Sequence, residues 1–207
     1  MLNELIERYP ALSDSRESIE LALKKIIGCF ERGGKLLLCG NGGSAADCDH
    51  IVGELMKDFL IKRPLDGNLK VGMMRRSPRL NESVLNNLQL GLPAISLPSI
   101  TGFNTAFCND RDPELVYAQG VLALAREEDV LIAISTSGNA KNVLRAAEVA
   151  RGLGNTVIGL SGITGGELKG VCDACICVPE TETYKIQELH IAVYHYLCAA
   201  AEKHFFG

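Results

Sequence analysis

The run Leu36-Leu37-Leu38-Cys39 stops abruptly at Gly40-Asn41-Gly42-Gly43-Ser44, and a helix-compatible segment from Ala45 to Leu60 starts at once. Few folds accept this order. A buried strand that feeds a glycine-rich turn at a helix N-terminus belongs to α/β architecture, and the turn is a ready anion site. Glycine lets backbone N–H groups come close to an anion, and the helix dipole favours negative charge there. A second turn of related kind, Ser135-Thr136-Ser137-Gly138-Asn139, follows the apolar run Val130–Ile134. A helix cap needs one hydroxyl. Three in a row, with a glycine to permit close approach, exceed that need and point to a bound phosphate.

Five short β-rich runs recur along the chain, at 35–39, 92–97, 129–134, 156–160 and 174–178. Helical segments at 44–60, 113–126 and 140–153 separate most of them. A helix over 14–32, started by Asp14-x-x-Glu17 and ended by Gly33-Gly34, precedes the first strand. A long helix from about Thr183 to His204 follows the last. Strands alternating with helices predict an α/β fold: a doubly wound, five-stranded parallel sheet with helices on both faces. Ligands in such sheets bind beyond the carboxyl ends of the strands, where both hydroxyl turns would lie. Residues 62–91 break the rhythm. They hold Lys70, Arg75, Arg76 and Arg79 and a helix-compatible stretch from Glu82 to Leu90. This excursion is read as a solvated or interface-covering segment, or as a cationic arm over a phosphate-bearing ligand.

Bulk properties narrow the classes. At 207 residues, 47% apolar and 22% charged, the chain fits one globular domain. A net charge of −4 argues against a general grip on nucleic acid. No apolar run reaches the roughly 18 residues of a membrane span, and the acidic start Met-Leu-Asn-Glu-Leu-Ile-Glu-Arg does not read as a secretory signal. The eight cysteines sit mostly in apolar runs and are read as reduced, buried, cytoplasmic thiols. Cys172-x-x-Cys175-x-Cys177 lacks a companion Cys/His cluster and reads as strand-start cysteines, not a metal site.

Chemistry-bearing residues are few. His50 and Glu54 share one helix face, one turn apart, and could supply two metal ligands or a base with its partner. On the terminal helix Gln187, Ile191 and His195 lie within about 80° of one another. Gln187 and His195 therefore share a face distinct from the apolar stripe of Leu189, Val193 and Leu197, but about 12 Å of helical rise separates them. His190 points elsewhere and reads as structural, and His204 suits a helix C-terminus.

Together, Cys39-Gly-Asn-Gly-Gly-Ser44, His50-x-x-x-Glu54, Asn109-Asp110, Ser135-Thr-Ser-Gly-Asn139 and Gln187-Glu-x-His190 followed by His195 resemble the sugar isomerase (SIS) domain proteins. Within them the match is to the bacterial phosphoheptose isomerases, over residues 1–60 and 92–207. The resemblance implies a single SIS domain, a flavodoxin-like three-layer sandwich, in a cytoplasmic homotetramer with active sites built between subunits. Asn41, Gly42, Gly43, Ser44, Glu54, Asn109, Asp110, Ser135, Thr136, Ser137 and Gln187 would contact a sugar phosphate. His50, Glu54, Gln187 and His195 would ligate one zinc ion per subunit, and Glu54 and His195 would be the acid–base pair. The reaction would be aldose–ketose isomerisation of sedoheptulose 7-phosphate through an enediol. A non-catalytic SIS adaptor, such as a replication-initiator-binding relative, or a sugar-phosphate sensor is the competing reading; the presence of Glu54 and His195 disfavours it. Two departures stand out: Ala140 where the family commonly has Ser, and the length of the 62–91 excursion.

Overall fold

The computed structural model describes residues 1–207. Its five strands, β1 Leu36–Cys39, β2 Ala94–Ser96, β3 Val130–Ile134, β4 Thr156–Ser161 and β5 Ala174–Cys177, form one sheet in the order β2-β1-β3-β4-β5. Every pairing is parallel, with Leu36 beside both Ala94 and Val130, Val130 beside Thr156 and Ile158 beside Ala174. This is the doubly wound arrangement expected from the alternation. The chain leaves β1 toward one edge and returns to pair β3 on its other side. The switch point therefore falls between β1 and β3, the place where such sheets bind ligands.

Strand residues alternate between two cores, as the pleat requires. Leu36, Leu38, Ile132, Ile134 and Ile158 face the larger one with α2 Arg16–Glu31, α3 Gly43–Met56 and α9 Thr183–Phe206. Leu37, Cys39, Leu131, Ala133 and Val157 face the smaller one with α7 Val116–Leu124 and α8 Lys141–Gly152. Burying each such leucine stabilises the fold by roughly 1.5–3 kcal/mol. The result is three layers, with α3 and α9 side by side over β1 and β3.

Several boundaries differ from expectation. A short helix, α1 Leu2–Arg8, and a 3-10 turn over Pro10–Ser15 precede α2, which starts at Arg16. Asp14 does not cap it. Ser15 holds the cap position with φ −90° and ψ −1°. Its backbone is already helical, and its hydroxyl donates instead to the Cys177 carbonyl on β5 at 2.9 Å. The helix after β1 ends at Met56, not Leu60, because Arg63 folds back under it. The guanidinium donates to the Leu55 carbonyl at 2.6 Å and the Glu54 carbonyl at 3.2 Å. It pairs with Glu202 of α9 at 2.8 Å, and both side chains are fully buried. Glu202 also accepts the N–H groups of Phe59 and Leu60. The predicted segment 113–126 is a 3-10 turn at Pro113–Leu115, capped by Asp112, followed by α7.

The excursion contains α4 Gly67–Arg76, which its composition did not announce, and only a single helical turn, α5 Glu82–Leu85, where Glu82–Leu90 was expected. No residue of α4 is buried. A further helix, α6 Thr101–Asp110, follows β2 and likewise buries none of its residues. The cysteines are more varied than the sequence reading allowed. Cys29, Cys39, Cys48 and Cys198 are buried, Cys108 is exposed, and Cys172, Cys175 and Cys177 are half-buried at the edge strand. No helix is long and apolar enough to cross a membrane.

Candidate active site

The two glycine and hydroxyl turns end up adjacent because β1 and β3 are hydrogen-bonded neighbours, with Cys39 beside Ala133. Together they line a cavity of about 320 Å³, formed by residues 41–44 and 134–137 with Ala140, Thr183 and Gln187. Gly42 has φ +55° and Gly138 φ +68°, a region closed to most L-residues. Gly138 also lies so close to the backbone of Gly165 and Gly166 that a methyl group there would overlap them. The N–H groups of Gly42, Gly43, Thr136 and Ser137 make no hydrogen bond within the chain. All four residues line the cavity, Gly42 and Gly43 at the positive end of α3 and Thr136 and Ser137 on the turn after β3, so these N–H groups are free to meet an anion. The hydroxyl protons of Ser135, Thr136 and Ser137 make no bond within the chain, although Ser137 Oγ accepts the Asn139 N–H at 3.1 Å. Ala140 holds the cap position of α8 with no side-chain cap bond, and only a 3.4 Å contact joins its N–H to Ser135 Oγ.

Two residues the sequence reading did not single out, Asn142 and Tyr117, hold the first turn in place. The amides of Asn41 and Asn142 exchange two hydrogen bonds, at 2.8 and 2.9 Å. The Tyr117 hydroxyl donates to the Gly40 carbonyl at 2.9 Å. No local pattern announces the Asn41–Asn142 pair, whose members are 101 residues apart.

A second cluster forms further along α3. His50 Nε2 lies 3.3 Å from Glu54 Oε1 and 3.4 Å from His195 Nε2 of α9. Glu54 turns its other oxygen to Lys57 at 3.3 Å. His50 Nδ1 lies 2.9 Å from the Tyr194 hydroxyl, which also donates to Asp47 Oδ1 at 3.3 Å. Burial, then the neighbouring His50, lowers the pKa of His195, with Glu54 opposing. Burial raises that of Asp47. His190 is fully buried, with Nε2 3.3 Å from the Ser161 carbonyl, and burial lowers its pKa to about 4. It is structural, as its helical direction implied. His204 pairs with Glu31 of α2 at 2.9 Å.

Of the residues implied by resemblance, Asn41, Gly42, Gly43, Ser44, Ser135, Thr136, Ser137 and Gln187 line the cavity. His50, Glu54 and His195 converge. Gln187 does not join them, because its amide packs against Gly43 at the start of α3. Asn109 and Asp110 sit exposed at the end of α6, hydrogen-bonded to each other at 2.9 Å and outside the cavity. The basic residues of the excursion do not line it either, so no cationic arm covers the site within one chain.

The donor chemistry of His50, Glu54 and His195 suits zinc. Two imidazole nitrogens 3.4 Å apart match the spacing of two ligands about 2.0–2.1 Å from one tetrahedral ion. Both contacts run through His50, however, and no group of three or more His, Cys, Asp or Glu side chains is placed to hold a metal ion.

An anion cradle at the switch point and an imidazole–carboxylate cluster further along α3 are what the sugar isomerase class of sugar-phosphate proteins would need, and similarity to that family places the chain there. The chain belongs to the SIS domain family: it matches that family over residues 105–200, and a second SIS domain description over residues 2–87. It is 39% identical to the phosphoheptose isomerase of Helicobacter pylori strain P12, over 99% of this chain and 98% of that one. It is 43% identical to the phosphoheptose isomerase of Trichlorobacter lovleyi, over 91% and 82%. In three dimensions it resembles the phosphoheptose isomerase of Neisseria gonorrhoeae, with a TM-score of 0.74 at 31% identity, covering 97% of this chain and 96% of that one.

Proposed function

We infer that this chain is a phosphoheptose isomerase, converting sedoheptulose 7-phosphate to D-glycero-D-manno-heptose 7-phosphate by an enediol route. The observation that carries this reading is the pairing of an anion cradle at the start of α3 with His50 and Glu54 further along the same helix and His195 of α9 beside them. From Gly43 to His50 the rise is about 10 Å. An extended seven-carbon chain with its phosphate has a similar length, from carbon–carbon bonds of about 1.5 Å. The cradle would hold the phosphate while the other end of the sugar reaches the cluster. Binding energy from the remote phosphate then positions the reacting carbons.

In the ketose-to-aldose direction a proton leaves C1 and arrives at C2. Glu54, half-buried and with no arginine on its carboxylate, is the group to carry it. Lys57 and His50 hold its two oxygens and so fix its plane. His195, whose pKa burial lowers, can give and take the proton that moves between the two sugar oxygens. A zinc ion would be held by His50, Glu54 and His195; Gln187, the fourth ligand that the resemblance implies, packs against Gly43 at the cradle instead. When bound, it would polarise the carbonyl and stabilise enediolate charge.

We propose further that the active form is a homotetramer in the cytoplasm. Asn109 and Asp110 lie outside the cradle of their own chain, which fits a site completed by a neighbouring subunit. Cysteines that lie mostly in or against the core fit a reducing compartment. The adaptor alternative requires no acid–base pair and leaves the Glu54–His50–His195 cluster without a use. Incubation with sedoheptulose 7-phosphate and with hexose and pentose phosphates, with product identification, tests the assignment. Turnover confined to the heptose supports it; no turnover of any sugar phosphate would return the chain to the adaptor class.

A further inference from the structure

We propose that Asn139 and the loop after β4, residues 162–168, form a clasp that aims the N–H groups of Thr136 and Ser137 at the anion. Asn139 is then a positioning residue for phosphate recognition, since it does not itself line the cavity. The proposal rests on reading that cavity as the seat of the sugar's phosphate.

The turn after β3 makes one backbone bond of its own, from the Gly138 N–H to the Ser135 carbonyl at 3.0 Å. Its next carbonyls are held from outside. The Gly162 N–H donates to the Thr136 carbonyl and the Leu168 N–H to the Gly138 carbonyl, both at 3.0 Å. Between them, the Ser137 carbonyl accepts the Asn139 side-chain amide at 3.1 Å. The oxygen of that same amide accepts the Glu167 N–H at 3.0 Å. One planar group therefore joins the turn to the loop.

Peptide planarity converts these bonds into an aim. In a trans peptide the C=O and the N–H that follows it point in opposite directions. With the Thr136 carbonyl held toward Gly162, the Ser137 N–H must face away from the loop. With the Ser135 carbonyl held by Gly138, the Thr136 N–H must face out of the turn. These are the two N–H groups of the turn left without a partner, on residues that line the cavity.

Packing leaves the clasp no slack. Gly165 and Gly166 have φ +72° and +53°. A methyl group on Gly166 would run into the Ser137 carbonyl and Asn139 Oδ1. The far side of the loop is tied down as well, because the Ile163 N–H donates to the Glu180 carbonyl at 3.0 Å, just before α9 begins. α9 supplies Thr183 and Gln187 to the same cavity. One loop thus spaces two of its walls. A capping role does not account for Asn139: it is exposed, and Ala140 holds the cap position of α8 without a side-chain bond.

The experiment is calorimetric titration of the whole chain with inorganic phosphate, paired with steady-state kinetics on sedoheptulose 7-phosphate. Asn139→Ala changes an exposed residue and should melt within about 2 °C of the wild type. It is expected to bind phosphate about tenfold more weakly, the equivalent of one lost hydrogen bond to a charged group. KM should rise by a similar factor while kcat stays within about twofold. Gly166→Ala displaces the loop without altering Asn139 or any charge, and should weaken phosphate binding in the same way. A purely structural role would lower Tm and leave the phosphate affinity of the folded protein unchanged; that result in Asn139→Ala would overturn the clasp. So would a wild-type protein that binds no phosphate. Weakened phosphate binding in the variants of a protein that turns over no sugar phosphate would uphold the clasp and refute the isomerase reading alone.

Discussion

His50 Nε2 and His195 Nε2 stand 3.4 Å apart across the α3–α9 contact, although 145 residues separate them in sequence. Two imidazoles at this distance share either a proton or a cation. The account predicts that a chelator lowers turnover and that zinc restores it. Binding of inorganic phosphate to the metal-free protein should be unchanged, because the cradle lies about 10 Å away along α3. Calorimetric titration with phosphate, before and after chelation, checks this.

Ala140 lines the cavity with a methyl group in place of a hydroxyl. Ala140→Ser adds a donor beside the phosphate cradle. A hydrogen bond to a charged acceptor contributes about 1 kcal/mol or more, so KM for the sugar phosphate should fall about fivefold with kcat little changed. Steady-state kinetics of the variant would show it.

Arg63 and Glu202 are fully buried and hold the end of α3 against α9. Arg63→Ala leaves Glu202 charged and buried, which costs about 3–5 kcal/mol. For a chain of this size that lowers Tm by about 10 °C. Arg63→Met with Glu202→Leu should recover much of the loss, since well-packed apolar replacements of buried pairs are often close to neutral. Thermal melts of the single and double variants separate the two cases.

His190 is neutral in the fold, with its pKa lowered to about 4. The unfolded chain protonates this histidine near pH 6.5. Below that pH the unfolded state binds the extra proton, so stability falls as pH drops from about 6.5 to 4. The fall from this one group amounts to about 3 kcal/mol at its limit. Denaturant melts across this range should show a shallower slope for His190→Asn than for the wild type.

The sheet was legible in the sequence because strands buried on both faces read as short apolar runs, and all five were placed within two residues of their ends. The cradle was legible because glycine and hydroxyl turns have few other uses at strand ends. α4 and α6 were not legible. Neither buries a residue, so neither carries the apolar stripe that periodicity detects. The end of α3 was missed because its stop signal is Arg63, a residue outside the helix. Glu54 and His195 could be named from the sequence. Asp47 and Tyr194 could not, because what joins them to His50 is the packing of α9 on α3.

The most direct test is proton exchange at the reacting carbons. With sedoheptulose 7-phosphate in D₂O, the wild-type protein should form the aldose and wash deuterium into C1 of the ketose or C2 of the aldose. Glu54→Gln, folded as judged by circular dichroism, should lose this by at least about 10²-fold. Exchange and turnover at the wild-type rate in Glu54→Gln would contradict the account.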